Sequence, residues 1–427
     1  MTRPVHRAAP ATDTPIRQGS LRAHNLDLTF RQIVGARRAP ISRSELATVT
    51  GLTRPTISRI VDELLAGGLI VEAGPARSGN SGRPRVGLNL APTGPAGLGL
   101  DIRVDALSAC VVDLTGAVRH LEFVPHTQRD AGPEETLRSL AAMATEANRA
   151  AAADGLTVVG ATLAVPGPVQ DGSVVRFAPT LGWRDVDAGA ALRSRIGPAE
   201  LPVLVDNDAR LAALGELYAS EQELRNFVCV SGEFDIGAGI VLAGAPFVGS
   251  RGWSGELGHV MVESDGQLCS CGATGCLQCY AGIQQILAAV PAGRHPGPAA
   301  ARQSPAVVID GLVSAGSPEI LAALDRAGQA LGIAISALVN LVDVDTVLLG
   351  GSYSLLASWL TEGIERELRT RVATSAWAPV EVRPAPLGPD AAVIGAALSA
   401  VDKVRRDPNS WLARVQQGEG GWPRQTA

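Results

Sequence analysis

The sequence predicts an α/β protein that carries a small, basic helical head at its N-terminus. Two short capped helices and an arginine-rich hairpin occupy residues 20–92. From residue 97 onward, short apolar strands alternate with alanine-rich helices, and four of the six cysteines fall within eleven positions. With 427 residues, 46% of them hydrophobic, the chain is long enough for two or three packed domains.

Charge is distributed unevenly along the chain. Residues 1–90 hold 13 arginines and six acidic residues, whereas the rest of the chain is acidic. A basic head on an acidic body favours nucleic-acid contact through the head, although a solvated basic N-terminus would have the same composition. Lys403 is the sole lysine in the sequence, which excludes chemistry that depends on a buried lysine, such as a Schiff base or a P-loop.

The N-terminus shows no targeting signal. Residues 1–19 are polar, contain prolines and lack periodicity, so we expect a mobile arm rather than a signal peptide. Apolar runs such as 391–401 are shorter than the roughly 20 residues that a membrane-spanning helix needs. We therefore expect a cytoplasmic protein with no membrane partner.

Residues 20–92 are predicted to form a winged helix-turn-helix. Apolar residues at helical spacing indicate a first helix over 21–35. Ser42 and Glu45 form a capping box for a second helix that ends at Gly51, and Thr53 caps a third helix. Two capped helices joined by a glycine-containing turn are typical of a helix-turn-helix.

The third helix is predicted to read the major groove of double-stranded DNA, with the basic loop over 77–85 as a wing between strands at 69–71 and 86–90. Arginine can bond guanine edges bidentately, and wing arginines can contact phosphate or a narrow minor groove. The candidate DNA-contacting residues are Arg43, Thr53, Arg54, Thr56, Ser58, Arg59, Arg77, Arg83 and Arg85. A structural helix pair with a solvated loop is the alternative interpretation.

The body from residue 97 alternates strands and helices. Strands are predicted at 97–102, 109–113, 158–164, 203–205, 227–230, 240–242, 260–262 and 346–349. Helices are predicted at 134–153, 209–216, 283–290, 319–342, 354–368 and 391–401. The segment 291–305 is rich in Ala, Pro and Gly, which indicates an exposed insertion.

A cysteine and histidine cluster predicts a metal site. The candidate ligands are His259, Cys269, Cys271 and Cys276. A C-x-C pair cannot easily close on itself, whereas one imidazole and three thiolates form a tetrahedral zinc site with no open position for water. Such a zinc would be structural and would fix the loop that carries Glu256. Cys279 is a spare thiol that could replace one ligand.

Three polar residues, Asp206, Asn207 and Asp208, follow the strand predicted at 203–205 and precede a helix. Ligands bind at strand ends in α/β proteins, and carboxylate and amide groups together suit sugar hydroxyls. An aspartate at this position could also deprotonate a hydroxyl. The same three residues are equally typical of a turn with a helix cap.

These motifs resemble those of the ROK family of sugar kinases and transcriptional repressors, over nearly all of residues 21–401. The similarity lies in E-x-G-H at 256–259, C-x-C-G-x-x-G-C at 269–276 and Asn-Asp at 207–208. The winged helix places the chain with the repressor branch, which includes xylose and N-acetylglucosamine repressors. The resemblance implies a two-lobed, actin-like (ribonuclease H-like) fold of the kind found in ATPases and sugar kinases.

The resemblance also implies where the lobes and the sites lie. We expect a first lobe over 95–206, on which a C-terminal helix at 388–402 packs back, a second lobe over 207–387 that holds the zinc site, and a tail of unassigned role over 403–427. The implied sugar-binding residues are Asn207, Asp208, Glu256, His259 and Gln278. Gln278 stands where the family has a glutamate, and an amide in place of a carboxylate changes which hydroxyl pattern is preferred.

The departures from the family's kinases concern phosphate binding. The kinase motif D-x-G-G-T reads Asp-Ile-Arg-Val-Asp at 101–105, and the second glycine-rich turn reads Glu-Phe-Asp at 233–235. Side chains therefore occupy positions where bare backbone should meet phosphate. The added carboxylates repel ATP, at short range by on the order of several kcal/mol. We expect that the kinase activity is lost and that no residue is catalytic.

The sequence thus predicts a DNA-binding transcriptional regulator, a repressor of carbohydrate-metabolism genes, that responds to a sugar or sugar derivative. A homodimer or homotetramer on a near-palindromic operator is expected, because one recognition helix alone supplies little specificity. Two other functions remain open at this point. One is a zinc-containing sugar kinase that phosphorylates a hexose with ATP, and the other is a ligand-independent DNA-binding protein whose body only dimerises.

Overall fold

The computed structural model describes residues 18–36, 39–73, 86–103, 106–125, 131–197, 201–220, 224–232, 235–290 and 304–417. Its α-helices are α1 (Gln18–Gly35), α2 (Arg43–Thr50), α3 (Arg54–Ala66), α4 (Pro133–Ala153), α5 (Ala188–Arg193), α6 (Asp208–Ala219), α7 (Gln278–Ala281), α8 (Ile283–Ala288), α9 (Pro305–Ser314), α10 (Pro318–Val342), α11 (Ser352–Arg371), α12 (Ala391–Arg406) and α13 (Pro408–Gln416). Its strands are β1 (Ile41–Ser42), β2 (Ile70–Ala73), β3 (Gly87–Leu90), β4 (Gly94–Ile102), β5 (Ala106–Asp113), β6 (Val118–Pro125), β7 (Leu156–Val165), β8 (Val169–Gln170), β9 (Val174–Ala178), β10 (Trp183–Asp187), β11 (Val203–Asn207), β12 (Phe227–Gly232), β13 (Ile236–Leu242), β14 (Ala245–Pro246), β15 (Thr346–Gly351) and β16 (Glu381–Pro384).

The chain divides into two compact units. The first contains the described residues of Met1–Ala91 and Val404–Glu419, and the second contains Pro92–Lys403. Helix α1 begins at Gln18, two residues inside the predicted arm, and the rest of that arm lies outside the described residues. The insertion predicted at 291–305 also lies outside the described residues, apart from its last two positions.

The N-terminal part of the first unit is a winged helix, formed by helices α1 to α3 and a sheet of strands β1 to β3. Strand β3 pairs antiparallel with both β1 and β2. The predicted capping box of Ser42 and Glu45 is present at the start of α2, and Gly51 ends that helix in the left-handed conformation, with φ of 71°. The Thr53 side chain accepts a hydrogen bond from the backbone N–H of Thr56 and caps α3. These local signals fix both helix ends independently of the core.

Helix α13 packs against α1 and completes the first unit. Trp411 is 6% exposed, and its indole N–H donates to the carbonyl oxygen of Gly67 at 2.9 Å. The Asn409 side chain donates to the carbonyl oxygen of Ala23 at 3.2 Å. A segment that the sequence left unassigned therefore supplies buried surface to the winged helix.

The second unit contains two five-stranded sheets of the same topology. Their strand orders are β11-β7-β4-β5-β6 and β16-β15-β12-β13-β14, with three consecutive antiparallel strands followed by two parallel ones in each. This repeated arrangement is the two-lobed, actin-like fold that the sequence predicted. Helix α4 packs on the first sheet, and α11 packs on the second.

The backbone of helix α12 packs directly against the backbones of strand β4 and helix α6. A Cβ atom at Gly99 would fall 2.1 Å from the carbonyl oxygen of Val393, and one at Gly395 would fall 1.8 Å from that of Leu211. Both distances are far below van der Waals contact, so only glycine fits at these positions. Helix α12 is thereby fixed against strand β4 of the first sheet and helix α6 of the second lobe.

Several elements differ from the sequence-based prediction. The predicted strand at 260–262 is wrong: a single turn of 3₁₀ helix ends at His259, and Met261 forms only an isolated bridge with Cys276. The backbone there pairs with the cysteine loop instead of joining a sheet. Helices α5 and α9, the small sheet β8-β9-β10 and the strands β6 and β16 were not predicted, because each is short or lacks a clear apolar period.

One helix of the second unit, α10, is long and apolar enough to cross a membrane by length and composition alone. About 61% of its most apolar window is buried within the protein. Its buried residues include Ile320, Leu324, Leu331 and Ile335, which belong to the largest apolar cluster around the second sheet. In this structure α10 is a core helix.

We predict that replacing Trp411 with alanine destabilises the winged helix. The substitution removes a large buried ring and leaves the Gly67 carbonyl without its donor, so a loss of about 3 kcal/mol in unfolding free energy is expected. Hydrogen exchange measured by mass spectrometry on peptides from residues 21–70 should increase. Val415→Ala, on a more exposed position of the same helix, is the matched control. Unchanged exchange in Trp411→Ala would show that α13 does not support this unit.

Candidate functional site

The first candidate surface is the N-terminal half of α3. Arg54 and Arg59 are exposed, whereas Thr56 and Ser58 are half-buried. The apolar side of the same helix, which includes Ile57 and Leu64, is fully buried. An amphipathic helix with arginines and hydroxyls outward matches the requirements of a helix in the major groove.

A groove adjoins this helix end. It is lined by Ser42, Arg43, Ser44, Arg54, Ser58, Glu72 and Val86. Thr53 lies at the start of α3, where its hydroxyl is 2.9 Å from that of Thr56, so these two hydroxyls are engaged with each other. The structure therefore brings together six of the nine candidate DNA-contacting residues.

Arg43 is held by acidic neighbours. Its guanidinium lies 2.8 Å from the carboxylate of Asp62 and 3.3 Å from that of Glu72, and it also donates to the carbonyl oxygen of Ser58 at 3.4 Å. The Asp62 and Glu72 side chains are 65% and 49% exposed, so the pairs contribute little stability but do orient the side chain. Arg77, Arg83 and Arg85, the predicted wing contacts, lie outside the described residues.

The second candidate site is the cysteine and histidine cluster in the loop before α7. One ligand atom from each of four side chains lies within 4.8 Å of the other three; the four are His259, Cys269, Cys271 and Cys276. Cys269 and Cys276 are buried, whereas His259 and Cys271 are exposed. Cys279 is not part of this group, and its thiol faces the carbonyl oxygen of Leu268 at 4.0 Å.

The geometry of the cluster fits a four-coordinate metal. The Cys271 and Cys276 sulfurs are 3.7 Å apart, and the Cys269 sulfur is 3.8 Å from Nδ1 of His259. In a tetrahedral site with Zn–S bonds of about 2.3 Å, neighbouring ligand atoms are about 3.8 Å apart. Burial raises the pKa of the Cys269 thiol, but hydrogen bonds from Cys271 and its other neighbours outweigh it and lower the pKa to about 6.

Backbone hydrogen bonds shape the loop around this cluster. The N–H of Cys269 donates to the carbonyl oxygen of Ala273 at 2.8 Å, and the N–H of Leu277 donates to that of Val260 at 2.9 Å. A Cβ atom at Gly275 would fall 1.7 Å from the carbonyl oxygen of Glu263, and the φ of Gly275 is 75°. The chain can turn back on itself here only because this residue is glycine.

The third candidate site begins where β11 ends. Asn207 is the N-cap of α6: its side-chain oxygen accepts from the N–H of Arg210 at 3.1 Å, and its amide donates to the carbonyl oxygen of Gly167 at 3.2 Å. Asp208, the next residue, is half-buried. The capping interaction that the sequence left as an alternative is present, and it directs Asp208 into a cavity.

A partly buried ion pair stabilises this turn. Asp206 pairs with Arg210, four residues along α6, and the Arg210 guanidinium also donates to the carbonyl oxygen of Gly252 at 2.7 Å. The Arg210 side chain is 11% exposed. Arg210 thereby ties the helix start to the loop that leads to Glu256, a contact that no sequence signal indicated.

The resulting ligand cavity collects all the residues that the resemblance assigns to a sugar. Its walls include Phe177, Asn207, Asp208, Glu256, His259 and Gln278. Because Nδ1 of His259 faces the cysteine cluster, its Nε2 is the nitrogen that remains for a ligand. Gln278 accepts a hydrogen bond from the N–H of Ile236 at 2.8 Å, which fixes its amide orientation.

Phe177 supplies an apolar surface to this cavity, although no sequence pattern indicated a role for it. It lies near the end of β9, and the guanidinium of Arg184 on β10 stacks over its ring at 4.7 Å. The two strands are paired with Arg184 directly opposite Phe177, which holds the arginine in place. An aromatic face opposite carboxylates suits a ring that carries both C–H and O–H groups.

A second cavity, here called the distal cavity, adjoins the ligand cavity. Its lining includes Asp101, Arg103, Thr180, Ala212, Gly351 and Ala392, and the two cavities share Pro166, Asp208, Ser231 and Asp235. Arg103 stacks on the ring of Phe123 at 4.8 Å. Of the altered phosphate-binding segments, Arg103 and Asp235 are described, whereas residues 104, 105, 233 and 234 lie outside the described part of the chain.

Carboxylates converge where the cavities meet. Burial, followed by the negative charge of Asp101, raises the pKa of Asp208 well above its ordinary value, and the charges of Asp235 and Glu256 act in the same direction. Burial also raises the pKa of Asp235, while the hydroxyl of Thr180, which donates to its carboxylate at 2.7 Å, acts against that rise. An additional anion such as a phosphate is disfavoured at this junction.

Sequence comparisons agree with both units. Residues 97–403 match the ROK family profile, and residues 31–83 match the MarR family profile. The chain is 27% identical over 384 residues to the xylose repressor of Bacillus subtilis (strain 168), which covers 88% of this chain and 95% of that repressor. It is also 28% identical over 314 residues to the glucokinase of Streptomyces coelicolor, which covers 70% of this chain and 96% of that enzyme.

A solved structure shows the same arrangement of elements. It is the crystal structure of a ROK family transcriptional regulator described as a homologue of the E. coli MLC protein; it has a TM-score of 0.74 and 26% sequence identity, and it covers 93% of this chain and 100% of that one. The match of the family profile to most of the chain, together with this likeness of fold, shows that the protein belongs to the ROK family.

Proposed function

We propose that this protein is a DNA-binding transcriptional repressor whose affinity for DNA responds to a carbohydrate. The observation that carries the proposal is the presence, in one chain, of a winged helix with outward arginines and of a cavity with carboxylates, an amide and an aromatic face. Similarity to the xylose repressor over 88% of the chain supports both parts of it. The regulated genes would be genes of carbohydrate metabolism.

In this proposal, Arg54 and Arg59 contact base edges or phosphates, and Thr53, Thr56 and Ser58 allow close approach of α3 to the duplex. Arg43 would exchange its carboxylate partners for phosphate on binding. Two copies of the chain, as a homodimer or a pair of dimers, would place two recognition helices on a near-palindromic operator. The protein would act in the cytoplasm, where its operator is found.

The carbohydrate would bind in the ligand cavity. Asp208 and Glu256 would accept hydrogen bonds from its hydroxyls, Nε2 of His259 would donate to one oxygen, and Phe177 would cover its apolar face. Asn207 and Gln278 would act mainly by fixing neighbouring backbone and thus the positions of Asp208 and of β13. The ligand would change DNA affinity only as far as it binds two conformations of the protein unequally.

We further propose that the cysteine cluster holds a structural zinc ion. His259, Cys269, Cys271 and Cys276 supply the ligand set and the spacing that such an ion requires. A closed site of this kind would contribute folding free energy to the loop rather than activate water. Its effect on the ligand cavity would be to orient the ring of His259.

The alternative of a sugar kinase is suggested by the similarity to glucokinase and by the position of Asp208 at the start of α6. Against it, Arg103 and Asp235 place side chains in the distal cavity, where a nucleotide's phosphates would need backbone amides. The carboxylate of Asp235 would also repel the phosphates. We therefore propose that the cavity binds its ligand without phosphoryl transfer.

The metal proposal predicts about one zinc ion per chain in protein purified without chelator. Cys276→Ser should remove the metal and lower the thermal unfolding temperature, because Cys276 is a buried member of the cluster. Elemental analysis and calorimetry measure both effects. Cys279→Ser is the matched control, since this thiol lies outside the cluster, and it should retain the metal. Loss of zinc from both variants alike, or from neither, would contradict the proposed ligand set.

The DNA proposal predicts that Arg59→Ala weakens binding to DNA upstream of the protein's own gene. A lost phosphate contact should lower the slope of log affinity against log salt by about 0.9, whereas a lost base contact should cost about 1–3 kcal/mol of specificity. Fluorescence anisotropy at several salt concentrations separates the two effects. Arg149→Ala, which removes an equal charge from an exposed position on α4, should leave affinity and slope unchanged. Equal effects of the two substitutions would exclude α3 as the reading helix.

The ligand proposal predicts that Asp208→Asn abolishes the carbohydrate response but preserves DNA binding. Because the pKa of Asp208 is raised, its ionisation opposes folding, and the stability held at low pH is lost as pH rises through the folded-state pKa. Asp208→Asn should therefore unfold at a higher temperature than the wild type at neutral and alkaline pH. Calorimetry between pH 5 and 9 and anisotropy with D-xylose and D-glucose are the measurements.

The same preparations should consume no ATP in the presence of these sugars. ATP turnover in the wild type that disappears in Asp208→Asn would contradict the proposal and identify a sugar kinase instead. DNA binding that no sugar alters, in a protein that no sugar stabilises against unfolding, would identify a ligand-independent DNA-binding protein.

A further inference from the structure

The distal cavity has no role in the proposed function, yet it adjoins the ligand cavity. Four residues line both: Pro166, Asp208, Ser231 and Asp235. The two cavities are therefore adjacent, and Asp208 is one of the residues that they share. A ligand that fills the ligand cavity and carries a substituent beside Asp208 would extend that substituent into the distal cavity.

The distal cavity is rich in hydrogen-bond acceptors. Asp101, Asp208 and Asp235 contribute carboxylates to its lining, and Thr180 and Ser231 contribute hydroxyls. Ionised carboxylates only accept hydrogen bonds, so they favour groups that can donate, such as hydroxyls. A phosphate group at neutral pH is mainly an acceptor and is anionic, so these three carboxylates disfavour it.

Two helix starts also contribute to the lining of the distal cavity. Gly351 precedes the first turn of α11, a helix of 20 residues, and Ala392 lies in the first turn of α12, a helix of 16 residues. The first N–H groups of a helix have no intrahelical partner and carry partial positive charge. A group that contacts both the carboxylates and the helix starts must donate hydrogen bonds to the former and accept them from the latter, as a neutral polyol does.

We propose that the distal cavity is a second carbohydrate subsite, so that the preferred ligand is a disaccharide or glycoside rather than a single sugar. The first sugar unit occupies the ligand cavity, and the second lies between Asp101, Asp235 and the helix starts of α11 and α12. Arg103 and Asp235, which stand in the altered phosphate turns, are then part of a binding site. This inference rests on the proposed function, since it extends the same site.

Isothermal titration of the full-length protein tests this with matched probes. Glucose is compared with cellobiose and isomaltose, xylose is compared with xylobiose, and glucose 6-phosphate serves as the anionic probe. We expect one disaccharide to bind at least about tenfold more tightly than its monosaccharide, and glucose 6-phosphate to bind more weakly than glucose. A disaccharide that binds no more tightly than its monosaccharide, or a preference for glucose 6-phosphate, would overturn the inference.

A cavity-filling variant locates the second unit. Ala392→Leu narrows the distal cavity, and Ala392 does not line the ligand cavity. It should remove the disaccharide's advantage and leave the affinity for the monosaccharide unchanged, which also shows that the variant is folded. Ala152→Leu, at an exposed position on α4, is the matched control and should change neither affinity. Equal weakening of both probes by Ala392→Leu would count against a separate subsite.

A second variant changes chemistry without adding bulk. Thr180→Val removes a hydroxyl that lines the distal cavity and donates to Asp235, and it keeps the side-chain size. It should weaken binding of the disaccharide several-fold more than binding of the monosaccharide; equal weakening of both, or an unchanged disaccharide affinity, would contradict the placement. Monosaccharides that bind and alter DNA affinity, without any gain from disaccharides, would overturn this inference and leave the proposed function standing. Absence of binding by every carbohydrate would overturn both.

Discussion

The close packing of α12 is the constraint on which the second unit depends. Glycines on three different elements, at 97 and 99 on β4, 215 on α6 and 395 on α12 itself, permit contacts in which any Cβ atom would overlap a backbone atom. Helix α12 is therefore fixed to the first sheet and to the second lobe at the same time. Its first turn lines the distal cavity.

Around this helix, both lobes deliver polar groups to one place by the same means. Strands β4, β11, β12 and β15 end at the cavities, and each strand end leaves side chains or backbone groups that the sheet does not use. Asp101 comes from β4, Asp208 follows β11, and Gly351 follows β15. The binding chemistry of the protein is therefore a consequence of where parallel strands end.

In our proposal, the negative charge of these carboxylates makes the cleft unfavourable for ATP. Burial raises the pKa of both Asp208 and Asp235, and the negative charge of neighbouring carboxylates raises that of Asp208 further. A ligand that donates hydrogen bonds to these carboxylates lowers the free-energy cost of their ionisation, whereas a phosphate would raise that cost. In our proposal, the fold of a sugar kinase is retained while side chains at the strand ends change the preferred ligand.

The sequence by itself determined the features that depend on neighbours along the chain. Helix caps at Ser42, Thr53 and Asn207, and the cysteine cluster at 269–276, are local, so spacing alone predicted them. The alternation of strands and helices, together with the family resemblance, was sufficient for the two-lobed fold. The strand predicted at 260–262 failed because its backbone partners lie in the cysteine loop rather than in a sheet.

Only the tertiary structure decided which distant residues meet. Phe177 enters the ligand cavity from a small sheet that has no clear sequence signal, and Arg184 of the same sheet stacks on its ring. Arg210 reaches the carbonyl oxygen of Gly252 across 42 positions. Trp411 joins the winged helix although 344 positions separate it from Gly67. Contacts of this kind depend on how elements pack in three dimensions, and a linear pattern of residue types carries no record of that packing.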